Sequence, residues 1–219
     1  MVLSKDFERA LAYATRIHGG QLRKETRIPY IAHILGVTAI ALEYGATETE
    51  AMGALLHDAV EDCGGARRLR DIEGKFGKAV AKIVDGCTDT DQMPKPPWTT
   101  RKQAYIAHLR HASVSIQIVS AADKLHNVRA ILMDYRTERD KLWTRFNGGK
   151  EGTLWYYAAL LGAFRRSKRL APLLAEIDRT LTVLEAIANH GHRVKQPPPS
   201  PPPKSAPISK RRWNNSPQP

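Results

Sequence analysis

The stretch LLHDAVED, residues 55 to 62, places His57, Asp58, Glu61 and Asp62 at the end of an apolar run. At roughly 100° per helical residue these side chains point to about 0°, 100°, 40° and 140°, so one arc of a helix carries all four. A solvated acidic helix face is the plain alternative for such a string taken alone. Two further segments shift the balance. His33 closes the string PYIAH, and Asp123 and Asn127 stand at i and i+4 after the apolar run VSIQIVSAA. An aspartate that follows so many apolar residues is expected to be partly buried, where an unpaired carboxylate is costly. A divalent metal held by His33, His57, Asp58 and Asp123 removes that cost. Mixed imidazole and carboxylate ligation suits Mn²⁺, Fe²⁺ or Zn²⁺, and the lack of thiolates disfavours a structural zinc site.

Helices must position these groups, because the apolar pattern is helical nearly throughout and shows no convincing period-two alternation. Ser4 caps a first helix with Asp6 and Glu8 in its first turn, ended by Gly19-Gly20. A second helix carries Ile31, Leu35, Ala39 and Leu42 and closes at Gly45. Thr47 and Glu50 form a capping-box pair that starts a third helix, predicted to run through Leu55 to His57, Asp58, Glu61 and Asp62. Further helices are predicted over 66–76, 78–86, 100–111, 115–135, 138–146, 151–167 and 172–190. The fold class is all-α, with one compact bundle.

The chain has 219 residues and a formal charge of +12. One domain with an appendage fits that length. No apolar run approaches the roughly 20 residues of a membrane span, and the start lacks a secretory signal pattern, which predicts a cytoplasmic protein. Cys63 and Cys87 are too few for a disulfide framework and read as reduced thiols. The basic excess is +4 over residues 1–162, +4 over 163–196 and +4 over 197–219, so it is dense only near the end. From Pro197 the chain holds nine of its fourteen prolines and almost no aliphatic residues, which predicts a disordered tail. An anionic partner for this basic region, nucleic acid included, is one expectation it raises.

Five motifs occur in order: H-x-x-Q-x-R-K at His18 to Lys24, P-Y-x-x-H at Pro29 to His33, L-L-H-D-x-x-E-D at Leu55 to Asp62, F-G at Phe76 to Gly77, and A-D-K-L-x-N at Ala122 to Asn127. The set resembles the HD superfamily. More narrowly, it is similar to the hydrolase domain of the Rel/Spo alarmone enzymes and to their stand-alone small alarmone hydrolases, over roughly residues 4 to 165. The resemblance implies a single Mn²⁺ on His33, His57, Asp58 and Asp123, with Fe²⁺ or Zn²⁺ as alternatives, and an attacking water organised by Glu61 and Asp62. It implies that Arg23 and Lys24 flank a guanine base and that Asn127 contacts the nucleoside. Arg101 and Lys102 fall where it places a basic residue facing the pyrophosphate; an exposed helix start accounts for them equally well. The implied reaction is removal of the 3′-pyrophosphate of ppGpp, giving GDP and pyrophosphate. The implied layout is a hydrolase domain over 1–165, a helical extension over 166–192 packed on it, and a proline-rich tail over 193–219, leaving no room for a synthetase domain.

Two positions depart from the family pattern: Ile34 stands where Pro is common and Ser120 where Lys is common. Arg145, Tyr156 and Tyr157 are candidates for late substrate contacts, with aromatic core packing as the alternative for the tyrosines. His18 is expected to close the first helix beside the site. His126 is expected to point away from Asp123 and Asn127 and receives no role, and His108, His111, His190 and His192 show no partner pattern. Rival readings keep the metal but change the nucleotide, to ppApp, a deoxynucleotide or NADPH, or make the basic C-terminal region the active element. Neutralisation of a toxic alarmone synthetase is a third.

Overall fold

A computed structural model of the chain describes residues 2–90, 94–164 and 167–193, with side chains to 189. The expected tail beyond 193, and the side chains of His190 and His192, lie outside the described residues. Among the described residues the structure is helical, with one isolated β-bridge between Leu22 and Pro29. The helices are α1 (Lys5–Ile17), α2 (Ile31–Glu43), α3 (Glu48–Leu56), α4 (Ala59–Cys63), α5 (Gly65–Cys87), α6 (Trp98–Leu109), α7 (Val114–Glu138), α8 (Gly149–Ala163) and α9 (Ala171–Arg193). None of them is long and apolar enough to cross a membrane.

Helix starts follow the side-chain chemistry. Ser4 Oγ accepts from the Asp6 N–H at 3.1 Å to open α1. Thr47 and Glu50 exchange side-chain bonds with each other's backbone N–H at α3, and Ser113 Oγ accepts from the Ile116 N–H at α7. Each such cap satisfies a helix-terminal N–H and contributes about 1 kcal/mol. Glu50 is also gripped by Arg169, whose Nη2 lies 2.7 Å from Oε2, tying the approach to α9 onto α3.

Helix α7 is the axis of the molecule. It packs against α2, α3, α5 and α9, and Gln117 to Asp123 are buried without interruption. Its apolar residues, among them Leu125, Val128 and Tyr135, form the larger core with α6, α8 and α9. A second core joins α1, α3, α4 and α5 through Ala14, Leu55, Leu56, Ile72 and Val84. Helix α2 lies between the two: Ile34 belongs to the second core, while Val37, Ile40 and Ala41 belong to the first. At about 1.5–3 kcal/mol for each large apolar side chain fully buried, these cores are the term that offsets the placing of charged groups between them.

Four expected helices form differently. The third is not continuous: α3 stops at Leu56, and Asp58 takes φ −96°, ψ −1° before α4 begins. The predicted helices over 66–76 and 78–86 join as α5, bent at Gly77, whose φ of 85° suits a residue without Cβ. The predicted helix over 138–146 is a tight 3₁₀ stretch, Arg139–Arg145, following Arg139 at φ 54°. There Tyr135 donates to Asp140 at 2.9 Å, and Arg145 pairs with Asp134 and Glu138, so tertiary bonds hold a shape that α-helical spacing does not provide.

Candidate active site

The break between α3 and α4 brings the expected ligands together. In a straight helix His57 and Asp58 diverge by roughly 100°. Here Asp58 Oδ2 lies 3.0 Å from His57 Nε2 and 3.4 Å from His33 Nε2, whose ring enters from the first turn of α2. The two Nε2 atoms are 3.3 Å apart. Asp123 Oδ1, from mid-α7, is 3.4 Å from His33 Nε2 and 3.8 Å from His57 Nε2. Two imidazole nitrogens and two carboxylate oxygens from three elements thus face one point, and His33, His57 and Asp58 form a group able to hold a metal ion.

Each ligand is oriented by a group behind it. His57 Nδ1 lies 2.9 Å from the Ala54 carbonyl, which only an N–H can satisfy, so Nε2 is the nitrogen turned toward the carboxylates. Burial opposes a charge on this ring, yet Asp58 and Asp123 hold it protonated well above its ordinary range, and Nε2 would give up that proton to a bound cation. Tyr30 donates to Asp58 Oδ2 at 2.6 Å. Lys124 donates to Asp123 Oδ2 at 2.5 Å and Asn127 Nδ2 donates to Oδ1 at 2.6 Å. The electrostatics agree with this donor set. Burial alone would raise the Asp58 carboxyl, yet His57 and His33 hold it well below the usual range. Burial likewise opposes ionisation of Asp123, which Lys124 and the two histidines overcome. Both carboxylates are therefore ionised acceptors, the form that a divalent cation needs.

His33, Asp58 and Asp123 line a cavity of about 250 Å³, bounded also by Glu61, Lys102, Lys124 and Tyr156. It adjoins a second of about 580 Å³, whose wall includes Ile28, Trp98, Met133, Phe146 and Tyr157. Arg23, Lys24, His33, Lys102, Lys124 and Asn127 line both, so a polar cavity and a more apolar one form a continuous cleft. Lys102 and Lys124 are its inner cations, at 18% and 15% exposure. Burial and the neighbouring Lys124 draw the Lys102 amine below its ordinary range. The Tyr156 hydroxyl is buried with no hydrogen-bond partner among the described residues.

The other predicted residues separate into those that reach the cleft and those that do not. Glu61 reaches it and accepts from Lys95 Nζ at 2.8 Å. Asp62 does not line it; its carboxylate accepts from Gln21 Nε2 at 2.8 Å. Lys102 lines the cleft, whereas Arg101 lies behind it and pairs with Asp89, which Lys102 also meets at 3.0 Å. Arg23 Nη2 donates to Asn127 Oδ1 at 3.2 Å, and Lys24 Nζ donates to the Arg145 carbonyl at 2.7 Å. His18 ends α1, as expected, and is buried with Nδ1 2.7 Å from Gln21 Oε1. Ser120 faces Tyr105, with 2.8 Å between their hydroxyl oxygens, instead of the cleft.

His126 corrects the sequence reading. Far from pointing away, its Nδ1 lies 3.0 Å from His33 Nδ1 and 3.4 Å from Arg23 Nη1. The signal was the i, i+3 spacing from Asp123, which puts both on neighbouring parts of one helix face. Burial, His33 and Arg23 lower its pKa to about 4, so it is neutral near pH 7. Tyr30 and Lys124 were also missed as site residues, although both sit inside the quoted motifs.

Comparison with known proteins agrees with this geometry. Residues 10–154 match the HD domain. The chain is 40% identical over 123 residues to the guanosine-3′,5′-bis(diphosphate) 3′-pyrophosphohydrolase MESH1 of Xenopus tropicalis, covering 55% of this chain and 66% of that protein. It is 36% identical over 141 residues to a GTP pyrophosphokinase of Streptomyces coelicolor, covering 63% of this chain and 16% of that one. The chain thus spans slightly less than two thirds of the MESH1 relative and a small part of the kinase. Among solved structures, a metazoan SpoT orthologue described as hydrolysing ppGpp superposes with a TM-score of 0.66 at 28% identity, covering 84% of this chain and 99% of the other. A protein of Listeria monocytogenes EGD-e superposes with a TM-score of 0.63 at 26% identity, covering 72% and 99%. With the His-Asp pair at the α3–α4 break and a match through most of the helical body, the chain belongs to the HD domain family.

Proposed function

We propose that the protein is a divalent-metal-dependent pyrophosphohydrolase acting on a guanosine 3′-diphosphate such as ppGpp, yielding GDP and pyrophosphate. The observation that carries this reading is the convergence of His33, His57, Asp58 and Asp123 on one point beside a cleft that Lys102 and Lys124 also line. The names of the relatives point the same way.

His33, His57, Asp58 and Asp123 would hold the ion, and Mn²⁺ suits their mix of imidazole and carboxylate. When bound, a divalent cation supplies Lewis acidity to a phosphoryl oxygen and lowers the pKa of water. The chain's own groups account for the rest. Glu61, at the cavity wall, accepts the proton of the attacking water as its oxygen bonds to the phosphorus next to the 3′ oxygen. The bond from phosphorus to that oxygen breaks, and the 3′ oxygen leaves as a hydroxyl after taking a proton. Lys102 and Lys124 neutralise the departing diphosphate, and their partial burial strengthens that attraction relative to an exposed pair. The larger, more apolar cavity accepts the nucleoside, where Arg23 offers a planar cation to a purine face. Asp62, held by Gln21, supports the α4 end of the site and does not meet the water directly. We place this activity in the cytoplasm.

The test incubates Mn²⁺-loaded protein with ppGpp, ppApp and NADPH in parallel and identifies the products. GDP with intact pyrophosphate from ppGpp is expected. Preferred turnover of ppApp, or orthophosphate released from NADPH alone, would replace the guanosine reading with one of its rivals.

A further inference from the structure

The cleft places three nitrogen-bearing side chains in series: Arg23 of the 18–30 loop, His126 of α7 and His33 of α2. Arg23 Nη1 is 3.4 Å from His126 Nδ1, which is 3.0 Å from His33 Nδ1. A guanidinium can only donate. The nitrogen facing it must therefore be an acceptor, so His126 Nδ1 carries a lone pair and its hydrogen sits on Nε2. That leaves His33 Nδ1 as the donor across the 3.0 Å contact. In a neutral imidazole the other nitrogen is then bare, and His33 Nε2 is the atom that faces Asp58, His57 and Asp123.

The seat of His126 is shaped for this role. A Cβ at Gly36 would come within 2.3 Å of His126 Cδ2 and 2.4 Å of Nε2, so only glycine at that position of α2 admits the ring. Gly36 lies three residues after His33 on the same helix, and the slot therefore holds His126 in register with the ligand it contacts.

We infer that His126, seated against Gly36 and oriented by Arg23, is a positioning residue that fixes His33 in the tautomer able to bind the metal. This deepens the proposed function, because it rests on His33 being a ligand, but it does not depend on which nucleotide is cleaved. Through the same arginine the loop that faces the nucleoside also orients the Asn127 amide, whose nitrogen donates to Asp123. Two of the four ligands are thus set from one loop residue.

Titration calorimetry of the full chain with Mn²⁺ alone tests the inference, with the melting temperature of each metal-free variant measured alongside. His126→Phe keeps a ring of similar size but no acceptor and is expected to weaken Mn²⁺ binding by about 10- to 100-fold, the usual cost of losing a group behind a ligand. His126→Asn offers a carbonyl oxygen near the position of Nδ1 and is expected to stay within about threefold of the unaltered chain. Gly36→Ala, which pushes the ring from its seat, should weaken binding while His126 itself is intact, and it covers the case in which the phenylalanine variant does not fold. Unaltered affinity in His126→Phe and Gly36→Ala, or equal loss in the phenylalanine and asparagine variants, would overturn the inference. A chain that binds Mn²⁺ in this pattern yet leaves ppGpp intact would instead overturn the proposed substrate and keep the role of His126.

Discussion

The His33 and His57 side chains are each about 3% exposed, whereas Lys24 and Lys95, at the edge of the same cleft, are 69% and 39% exposed. The ligand wall is built from helix ends and a helix centre driven into the boundary of two apolar cores, and each ligand has a fixed partner behind it. The edge is built from the 18–30 loop and the segment before α6, where long side chains reach across to backbone carbonyls and carboxylates. The difference teaches that the two halves of the proposed site are specified with different rigidity. Buried ligands cannot relax without leaving a charge uncompensated at a cost of several kcal/mol. Exposed cations exchange partners for little, since such pairs are worth about 0–1 kcal/mol. In the proposed function the metal-holding wall is therefore the stiff element, and the grip on the nucleotide is the adaptable one.

The largest effect expected from that contrast comes from removing a ligand. His57→Ala should abolish measurable Mn²⁺ binding and reduce ppGpp turnover to background, while the metal-free chain keeps its helical circular dichroism, because neither apolar core depends on the imidazole. Tight Mn²⁺ binding by His57→Ala would show that the ligand wall is not the metal site and would erase the distinction between the two regions.

The next effect sharpens the boundary between them. Glu61 and Asp62 are adjacent, yet only Glu61 lines the cleft. Glu61→Gln should bind Mn²⁺ normally and lose about 10²- to 10⁴-fold in kcat, as removal of a general base does. Asp62→Asn should lose less than Glu61→Gln, because it alters only the hydrogen bond with Gln21. An Asp62→Asn rate as low as that of Glu61→Gln would bring Asp62 into the chemistry and move the boundary one residue along α4.

Much of the stiff half could be read from the residues. The apolar run before Asp123 implied its burial, and the Thr47–Glu50 pair located the start of the helix leading to His57. The break after Leu56 could not be read, because helical periodicity predicts continuity there. Asp58 gives up helical geometry for bonds to Tyr30 and the histidines, which come from elsewhere in the chain. His126 was missed for a related reason. Its role depends on a glycine 90 positions earlier in the chain, and no local pattern relates Gly36 to a ring on α7. Asp62 shows the converse: helix geometry puts it on the arc of the reactive groups, and a glutamine from another loop holds it off the cleft. The sequence is most informative where one helix decides an orientation, and least where two distant elements decide it jointly.

The smallest effect belongs to the exposed edge. Lys24→Ala removes an ammonium that lines both cavities but is bonded only weakly to its surroundings, through the Arg145 carbonyl at 2.7 Å and Glu25 at 3.9 Å. A cation so open to water attracts the nucleotide through a screened field, so the expected change is a KM for ppGpp raised about two- to fivefold with kcat unchanged. The difference from the unaltered chain should shrink when ionic strength rises from 0.05 M to about 0.5 M, because the Debye length falls below the reach of the side chain. Measuring both parameters at both salt concentrations separates the two outcomes. A fall in kcat that persists at high salt would mean that Lys24 acts on the reacting diphosphate from within a closed site, and the edge would then be as rigid during turnover as the ligand wall.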